Sequence, residues 1–266
     1  MEQFLSNPFT QPLYFFRLTA IIFAITFIRY LVVSGVYHYL FFVWLRPTFQ
    51  KRIITVQTIS KRQMRQEVWR SFLTSFIFAF SGSALVIFWQ KGWTQIYIDW
   101  NAYPIWYLPL SLLLALLVHE TYYYWLHRWM HLPKVYKWVH KWHHDSIETS
   151  SLTAFSFHPI ESILQAIVVP ILILCIPLNI YILFILLLIM TLSGTINHAG
   201  VEIFPKGFER HWLGKWLIGA SHHDLHHKQF RYNFGLYFTF WDHWMKTESP
   251  KYERHFRAHT GNEVKN

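Results

Sequence analysis

The chain of 266 residues contains 17 histidines, more than its 14 acidic residues, and many of them fall into three short clusters. The clusters read HRWMH from residue 127, HKWHH from residue 140 and HHDLHH from residue 222. Positions i, i+3 and i+4 share one face of an α-helix, so the imidazoles within each cluster are expected to converge. Neutral imidazole is the commonest metal ligand, and packing several rings together leaves their nitrogens in need of partners. The clusters therefore predict metal binding.

The number of clustered imidazoles exceeds what one tetrahedral zinc ion needs, which is four ligands including any water, so two metal ions are predicted. Histidine suits iron, copper and zinc alike and does not choose among them. His119-Glu120 is not a zincin HExxH motif because Tyr123 occupies the closing position, and no Glu-x-x-His motif occurs. The single cysteine, Cys175, excludes a cysteine-ligated zinc or iron–sulfur site.

The elements that must position these histidines are membrane helices. Apolar residues make up 53% of the chain and charged residues only 14%, which is typical of a membrane protein. Windows without Asp, Glu, Lys or Arg cover 71–90, 100–119 and 162–201. The Ile176–Asn179 turn divides the third into a hairpin of two spans, roughly 162–177 and 179–197. A further segment is predicted at about 22–44, with Arg29 reaching toward an interface.

The predicted fold class is all-α: an integral membrane protein with about four to five transmembrane helices and a cytoplasmic helical cap that carries a His-rich dimetal site. Orientation follows from the basic residues, because 46–70 carries seven Lys and Arg against one acid, Glu67. The resulting topology places 91–99 outside, and 127–160 and 198–266 in the cytoplasm. The net charge of +10 then reflects orientation and contact with anionic lipid, and no nucleic-acid partner is predicted.

In their order, with an apolar hairpin between the second and the third, the clusters resemble the histidine boxes of the fatty acid hydroxylase / sterol desaturase superfamily. The resemblance extends to HETYYYWLHR at 119–128, AFSFHPIE at 154–161, INHAG at 196–200 and NFGLYFTFWD at 233–242. It covers roughly residues 110–248 and is strongest for the sterol C-5 desaturase-like branch. It divides the chain into an N-terminal transmembrane region (1–105), a catalytic domain of this type (106–250) and a C-terminal tail (251–266).

The resemblance implies a non-haem di-iron oxidoreductase that uses O2 and external electrons to hydroxylate or desaturate a lipid of sterol or fatty acyl type. Nine histidines are carried over as ligands of the two Fe ions: His127, His131, His140, His143, His144, His198, His223, His226 and His227. An additional ligand or supporting group is expected from His158, His222 or Glu202. The alternative function is a non-catalytic zinc or copper transporter, which would place its ligands near the bilayer midplane.

Carboxylates near the boxes are candidates for orienting the ligand rings; these are Asp145, Glu161, Glu202, Asp224 and Asp242. Glu120 and Asp224 are the predicted catalytic acids. Glu120 lies in an apolar span, where an acid is a functional candidate, and a structural ion pair with Arg128 is the alternative.

Partners follow from what the sequence lacks and where its charges lie. It contains no haem, flavin or nicotinamide motif, so electrons must come from a carrier of the cytochrome b5 or ferredoxin type. The predicted docking surface is basic and comprises Lys134, Lys137, Lys141, Lys228 and Arg231. Contact of these residues with anionic lipid headgroups is the alternative. The lipid substrate itself is expected to come from the bilayer.

Overall fold

The computed structural model describes residues 9–55 and 59–261. These residues form twelve α-helices with short 3-10 and π-helical segments, and their only strands are two residues long. The α-helices are α1 (Pro12–His38), α2 (Arg46–Phe49), α3 (Lys61–Gln90), α4 (Tyr107–Met130), α5 (Pro133–Val139), α6 (Lys141–His144), α7 (Pro159–Ala166), α8 (Val168–Cys175), α9 (Ile180–His198), α10 (Ala220–Gln229), α11 (Phe240–Trp244) and α12 (Tyr252–Thr260). The predicted all-α class is confirmed.

Three helices are long and apolar enough to cross a membrane: Pro12–Trp44, which is α1 with its π-helical continuation, α3 and α9. The first begins about ten residues before the predicted start, because Pro12 initiates the helix and the Arg17 side chain is exposed near its end. Helix α4 has 24 residues, but its second half carries His119, Glu120 and other polar groups. Helices α7 and α8 together form a shorter apolar segment. The chain is an integral membrane protein.

The loop after α3 and the turn of the predicted hairpin lie together at one end of the bundle. Strand β1 (Ile96–Tyr97) pairs in parallel with β2 (Leu178–Asn179) in the turn. Trp100 stacks on Tyr181 with ring centroids 4.9 Å apart. The side chain of Asn179 accepts a hydrogen bond from the amide of Tyr181 and so caps α9. The turn therefore falls where the sequence predicts it, on the same side as the 91–99 loop.

The N-terminal helices hold the chain that follows the second histidine box. Helices α1 and α3 pack along each other, and both contact the 3-10 helix Ser151–Phe155. From α1, the hydroxyl of Tyr30 donates to the carbonyl of Leu152 at 2.8 Å, and that of Ser34 donates to the carbonyl of Ser151 at 2.9 Å. Helices α1 and α3 are thus packed directly against the chain between the second histidine box and α7.

The segment predicted as a C-terminal tail contains helix α12. Its buried Tyr252 and Phe256 pack against Leu225 of α10, the helix that carries the third histidine box. Residues 262–266 of the predicted tail lie outside the described residues. As far as it is described, the tail is part of the folded cap.

Candidate metal centre

Nine imidazoles meet in two groups at one end of the helix bundle. The five-imidazole group consists of His127, His131, His140, His144 and His226, and the four-imidazole group of His143, His198, His223 and His227. Within each group the candidate ligand nitrogens all lie within 4.8 Å of one another, and only His131 is not fully buried. All nine predicted ligands are therefore brought together. Those on long helices lie near helix ends, since His198 ends α9 and His127 is in the last turn of α4.

The second and third boxes each supply both groups. His143 and His144 are neighbours in sequence but belong to different groups, and so are His226 and His227. Successive residues of a helix point about 100° apart, so adjacent histidines cannot face the same ion. This corrects the expectation that each box converges on one point. His140 joins His144 from outside regular helix, at the junction of α5 and α6.

Hydrogen bonds on the outer nitrogens set the protonation of several rings. Nδ1 of His127 donates to the carbonyl of Phe234 at 2.8 Å, and Nδ1 of His198 donates to the carbonyl of Gly194 at 2.7 Å. Nδ1 of His140 lies 2.9 Å from a carboxylate oxygen of Glu161. Because a carbonyl or carboxylate oxygen only accepts, the proton is on Nδ1 and each Nε2 presents a lone pair to the interior of its group.

The inner nitrogens fit a metal ion better than they fit each other. Nε2 of His127 lies 3.1 Å from Nε2 of His140, and Nε2 of His198 lies 2.9 Å from Nε2 of His223. Between His127 and His140, whose protons are on Nδ1, two lone pairs at this distance repel, whereas a cation between them binds both. Two nitrogens each about 2.0–2.1 Å from one ion are separated by about 3 Å when they subtend a right angle there.

Burial keeps these imidazoles neutral. Loss of water, reinforced by the neighbouring imidazoles, lowers the pKa of His140, His143 and His144 well below 6.5. The same causes lower the pKa of His223 and His226 in the third box. At neutral pH these rings are therefore uncharged and available as ligands, as metal binding requires.

The model of the fatty acid hydroxylase family matches residues 112–247, which span all three boxes and His198. The chain belongs to the fatty acid hydroxylase family. This confirms the family that the motifs predict.

Among its relatives, Delta(7)-sterol 5(6)-desaturase ERG3B of Gibberella zeae is 28% identical over 203 residues, which are 76% of this chain and 61% of that protein. Lathosterol oxidase of Homo sapiens is 30% identical over 195 residues, 68% of this chain and 60% of that protein. Delta(7)-sterol 5(6)-desaturase ERG3 of Candida albicans is 26% identical over 246 residues, 90% of this chain and 60% of that protein. The chain thus spans about 60% of the length of these relatives. No solved structure matches it.

Of the carboxylates predicted to orient ligands, Glu161 is the one in direct contact with a histidine of either group, through His140. Asp145 instead pairs with Arg70 and Lys141, each at 2.9 Å. Those ion pairs hold the carboxylate of Asp145 away from the imidazoles of the second box.

The side chain of Asp224, which was predicted as a catalytic acid, faces away from both imidazole groups. Its carboxylate lies 2.9 Å from Nζ of Lys228 and 2.8 Å from Nε2 of His255. It lies between His223 and His226 in sequence but on another face of α10, because the helix turns by about 100° per residue. Its catalytic role therefore has no supporting contact among the described residues.

The three residues predicted as additional ligands or supporting groups, His158, His222 and Glu202, lie outside both groups. His158 accepts a hydrogen bond from the amide of Ile160 and caps α7. His222 is buried, but its ring packs against Tyr252, so the doubled histidine contributes only His223. The carboxylate of Glu202 accepts from the backbone amides of Phe204 and Ser221, and thereby caps the start of α10. Each of these side chains has a structural partner that directs it away from the two imidazole groups.

Glu120 holds a backbone segment rather than an ion-pair partner. Its buried carboxylate accepts hydrogen bonds from the amides of residues 236, 237 and 238 at 2.7–3.3 Å. The predicted alternative partner, Arg128, lies instead over the ring of Trp125. Asp242 accepts from the amides of residues 234 and 235. The two acids fix the segment whose Phe234 carbonyl orients His127, so Glu120 acts on the site through the backbone.

Glu67 is a site residue that the sequence interpretation missed. It lies on α3, is 1% exposed, and accepts hydrogen bonds from the hydroxyls of Ser146, Ser150 and Thr153 at 2.7–2.9 Å. These bonds hold the chain immediately after the second box. Its isolation as the single acid among seven basic residues at 46–70 was the available signal.

Proposed function

We propose that this chain is a membrane-bound oxidoreductase that uses O2 and external electrons to hydroxylate or desaturate a lipid. The observation that carries the proposal is the meeting of nine imidazoles in two groups, with inner nitrogens of neighbouring rings 2.9–3.1 Å apart. The related proteins are named as sterol desaturases and lathosterol oxidases, which favours a sterol as substrate and desaturation as the reaction. Residues 106–250 are the proposed catalytic domain, and the family match lies within them.

The two groups would hold two Fe ions, one in each. When bound, the ions supply the O2-dependent oxidising chemistry that an unactivated C–H bond requires. The chain's own residues hold neutral ligands in place and exclude water from them. Glu161 keeps the proton of His140 on Nδ1, and the carbonyl of Phe234 does the same for His127. Both rings therefore present a lone pair without a rearrangement.

The lipid would reach the site along an apolar cluster that lies beside the five-imidazole group. Buried Tyr123, Leu236 and Tyr237 pack there against Ile189 and Met190 of the spanning helix α9. The ring of Tyr123 lies 5.1 Å from that of His127. The cluster thus runs from a membrane helix to a ligand, which suits a substrate that is dissolved in the bilayer.

The function is tested by combining metal analysis with lipid analysis. Protein purified without oxygen should contain two irons per chain. Cells that express the chain should contain a lipid product with one more oxygen atom, or two fewer hydrogen atoms, than its precursor. Cells that express the His198→Ala variant should lack this product. The proposal would be contradicted if the purified protein contained copper or zinc and caused no O2-dependent lipid change even after it had been loaded with iron. That result would favour metal transport.

An acidic electron carrier is the proposed protein partner, docking on the cytoplasmic face beside the boxes. Of the five predicted basic residues, Lys141 pairs with Asp145 and Lys228 with Asp224. That leaves Lys134, Lys137 and Arg231, of which the two lysines near the second box are tested. We expect Lys134→Glu and Lys137→Glu together to slow turnover with a carrier and to leave turnover with a small chemical reductant unchanged. Lys91→Glu, at the opposite end of the bundle, is the control. Equal rates with the carrier would assign these lysines to lipid contact.

A further inference from the structure

Residues 234–245 pack against α4 and against α9, which is long and apolar enough to cross a membrane, although the predicted topology places 198–266 entirely in the cytoplasm. Leu236 and Tyr237 pack with Ile189 and Met190 near the middle of α9. In the same segment, Trp241 stacks on Tyr124 of α4, with ring centroids 5.7 Å apart. The segment therefore reaches down along two helices of the bundle instead of resting on top of it.

The start of α4 and α9 shows how deep this segment lies. Both helices begin at the end of the bundle where Trp100 stacks on Tyr181. The hydrocarbon core of about 30 Å corresponds to about 20 helical residues. Counted from Tyr107 and Ile180, the other boundary falls near the first histidine box on α4 and near the end of α9. The partners of 234–245, Tyr124 on α4 and Met190 on α9, lie on the membrane side of that boundary.

The backbone of the segment is satisfied by protein groups, as non-helical backbone at membrane depth requires. Glu120 and Asp242 together accept from the amides of five consecutive residues, 234–238. The side-chain amide of Asn197 donates to the carbonyl of Leu236 at 2.8 Å. The amide of Thr239 donates to the carbonyl of Trp216 at 3.0 Å. Water is not needed to complete any of these groups.

The same region of the protein carries exposed indoles. Trp212 and Trp244 are 69% and 62% exposed. Trp244 contacts Trp241, which in turn contacts Trp125 at the end of α4. Exposed indoles in contact with a membrane helix are typical of protein at the lipid–water interface.

Cations accompany two of the indoles at the edge of this face. Nζ of Lys215 lies 5.0 Å from the ring of Trp216, and the guanidinium of Arg128 lies 5.7 Å from that of Trp125. A cation that rests on an indole at this level can reach lipid phosphates while the ring remains in apolar surroundings.

We propose that residues 212–216 and 234–245 enter the bilayer on the cap side. Their partner is the phospholipid membrane itself, contacted through an indole surface that consists of Trp125, Trp212, Trp216 and Trp244. The segment 234–238 is then a re-entrant part of the cap. Glu120 and Asp242 make this possible because they accept hydrogen bonds from its backbone amides. This inference rests on packing and depth alone, so it does not depend on the proposed reaction.

The single cysteine of the chain allows a direct test in lipid nanodiscs that contain phosphatidylcholine and phosphatidylglycerol. Cys175→Ser provides the background, into which Trp244→Cys, Trp212→Cys or Ile147→Cys is introduced and spin-labelled. Ile147 is the matched control because it is an apolar side chain, 52% exposed, in a segment bordered by the ion pairs of Asp145 and Glu148. Oxygen concentrates in lipid and a nickel chelate in water. Their relative collision rates therefore report the surroundings of each label.

Labels at 244 and 212 should show an oxygen-to-nickel accessibility ratio severalfold higher than the label at 147. A ratio at 244 equal to that at 147 would overturn the proposal. A second measurement does not depend on the label's own preference for lipid. A water-soluble, charged maleimide should modify the unlabelled cysteine at 147 rapidly and those at 212 and 244 slowly. Rapid modification at all three positions would also overturn it. Variants are compared only when they elute like the wild-type protein.

Discussion

The two imidazole groups differ in how firmly the protein holds their rings. In the five-imidazole group, three rings have a hydrogen-bonded Nδ1: His127 with a carbonyl, His226 with the carbonyl of Tyr232, and His140 with Glu161. These acceptors come from two separate parts of the chain. The group is therefore oriented by the protein before any metal arrives.

The four-imidazole group is held more loosely. His198 is its one member whose Nδ1 has a hydrogen-bond partner among the described residues. The rings of His143 and His227 approach the backbone of Ser156 and Ser146, but neither ring has a hydrogen bond of normal geometry at Nδ1. His223 has no partner at Nδ1. We infer that a metal must order this group to a larger extent, so the two sites should differ in how they retain an ion.

Removal of a ligand should have the largest effect, and it should be equally severe in either group. We expect His226→Ala and His198→Ala each to abolish turnover and to lower the metal content from two ions to one. The cause is the loss of a lone pair from a buried group that cannot recruit water easily. His255→Ala is the control, since His255 contacts Asp224 outside both groups. Normal turnover in either ligand variant, measured as lipid product, would contradict the two-site interpretation.

Loss of an orienting carboxylate should weaken the five-imidazole group alone. Glu161→Ala removes the acceptor of His140 Nδ1, and we expect metal affinity in that group to fall by about 10–100-fold. Glu161→Gln, which keeps an acceptor oxygen, should restore part of the loss.

Asp145→Asn is the matched control for this change, because its carboxylate follows the same box but pairs with Arg70 and Lys141. Titration of the apo variants with Fe(II) without oxygen measures both affinities. An equal loss from both groups would mean that Glu161 supports the fold as a whole and does not act through His140.

The order of metal release should separate the groups further. In the presence of a chelator, wild-type protein should lose metal in two phases, with the loosely held four-imidazole group emptying several times faster. The His198→Ala variant identifies the phases, because it should lack the fast one. If the slow phase were missing instead, the inference that hydrogen bonds on Nδ1 retain the ion would be wrong.

The metal content of both groups should change little with pH above pH 6.5. Because burial places the pKa of His140 and His143 well below that value, protons begin to compete with the metal only in more acidic solution. An imidazole in water would already be half protonated near pH 6.5. Metal content after anaerobic dialysis should therefore be unchanged between pH 8 and 6.5. A decline within that range would show that the rings are more hydrated than their burial implies.

Much of this arrangement follows from local patterns that a sequence displays directly. Apolar windows predicted α3 and α9, and turn chemistry at residues 176–179 predicted the hairpin. The spacing of the clustered histidines predicted metal binding, and the family resemblance supplied the nine residues that meet, including the isolated His198. The same patterns did not set the first helix boundary, because Arg17 can reach water from the end of a membrane helix.

Other features depend on contacts between residues far apart in the chain. Glu120 and residues 236–238 are separated by more than a hundred positions, and nothing in the local sequence of Glu120 indicates that backbone amides, and not Arg128, will be its partners. Asp224, Glu202 and His158 were near the boxes in sequence, yet each is turned by its helix or cap toward another partner. Proximity along the chain predicted that these side chains lie near the boxes, but not which way they point.

The sequence by itself thus determined the class of fold and the family, and the family resemblance supplied the set of histidines, because composition and ordered motifs can be recognised without any long-range contact. Only the tertiary structure decided which boxes share a group, since α4, α6, α9 and α10 must pack before His127 can meet His226, or His143 can meet His198. It also decided that residues 234–245 descend along α4 and α9. That depth results from buried carboxylates satisfying a distant backbone, which no local hydropathy pattern records.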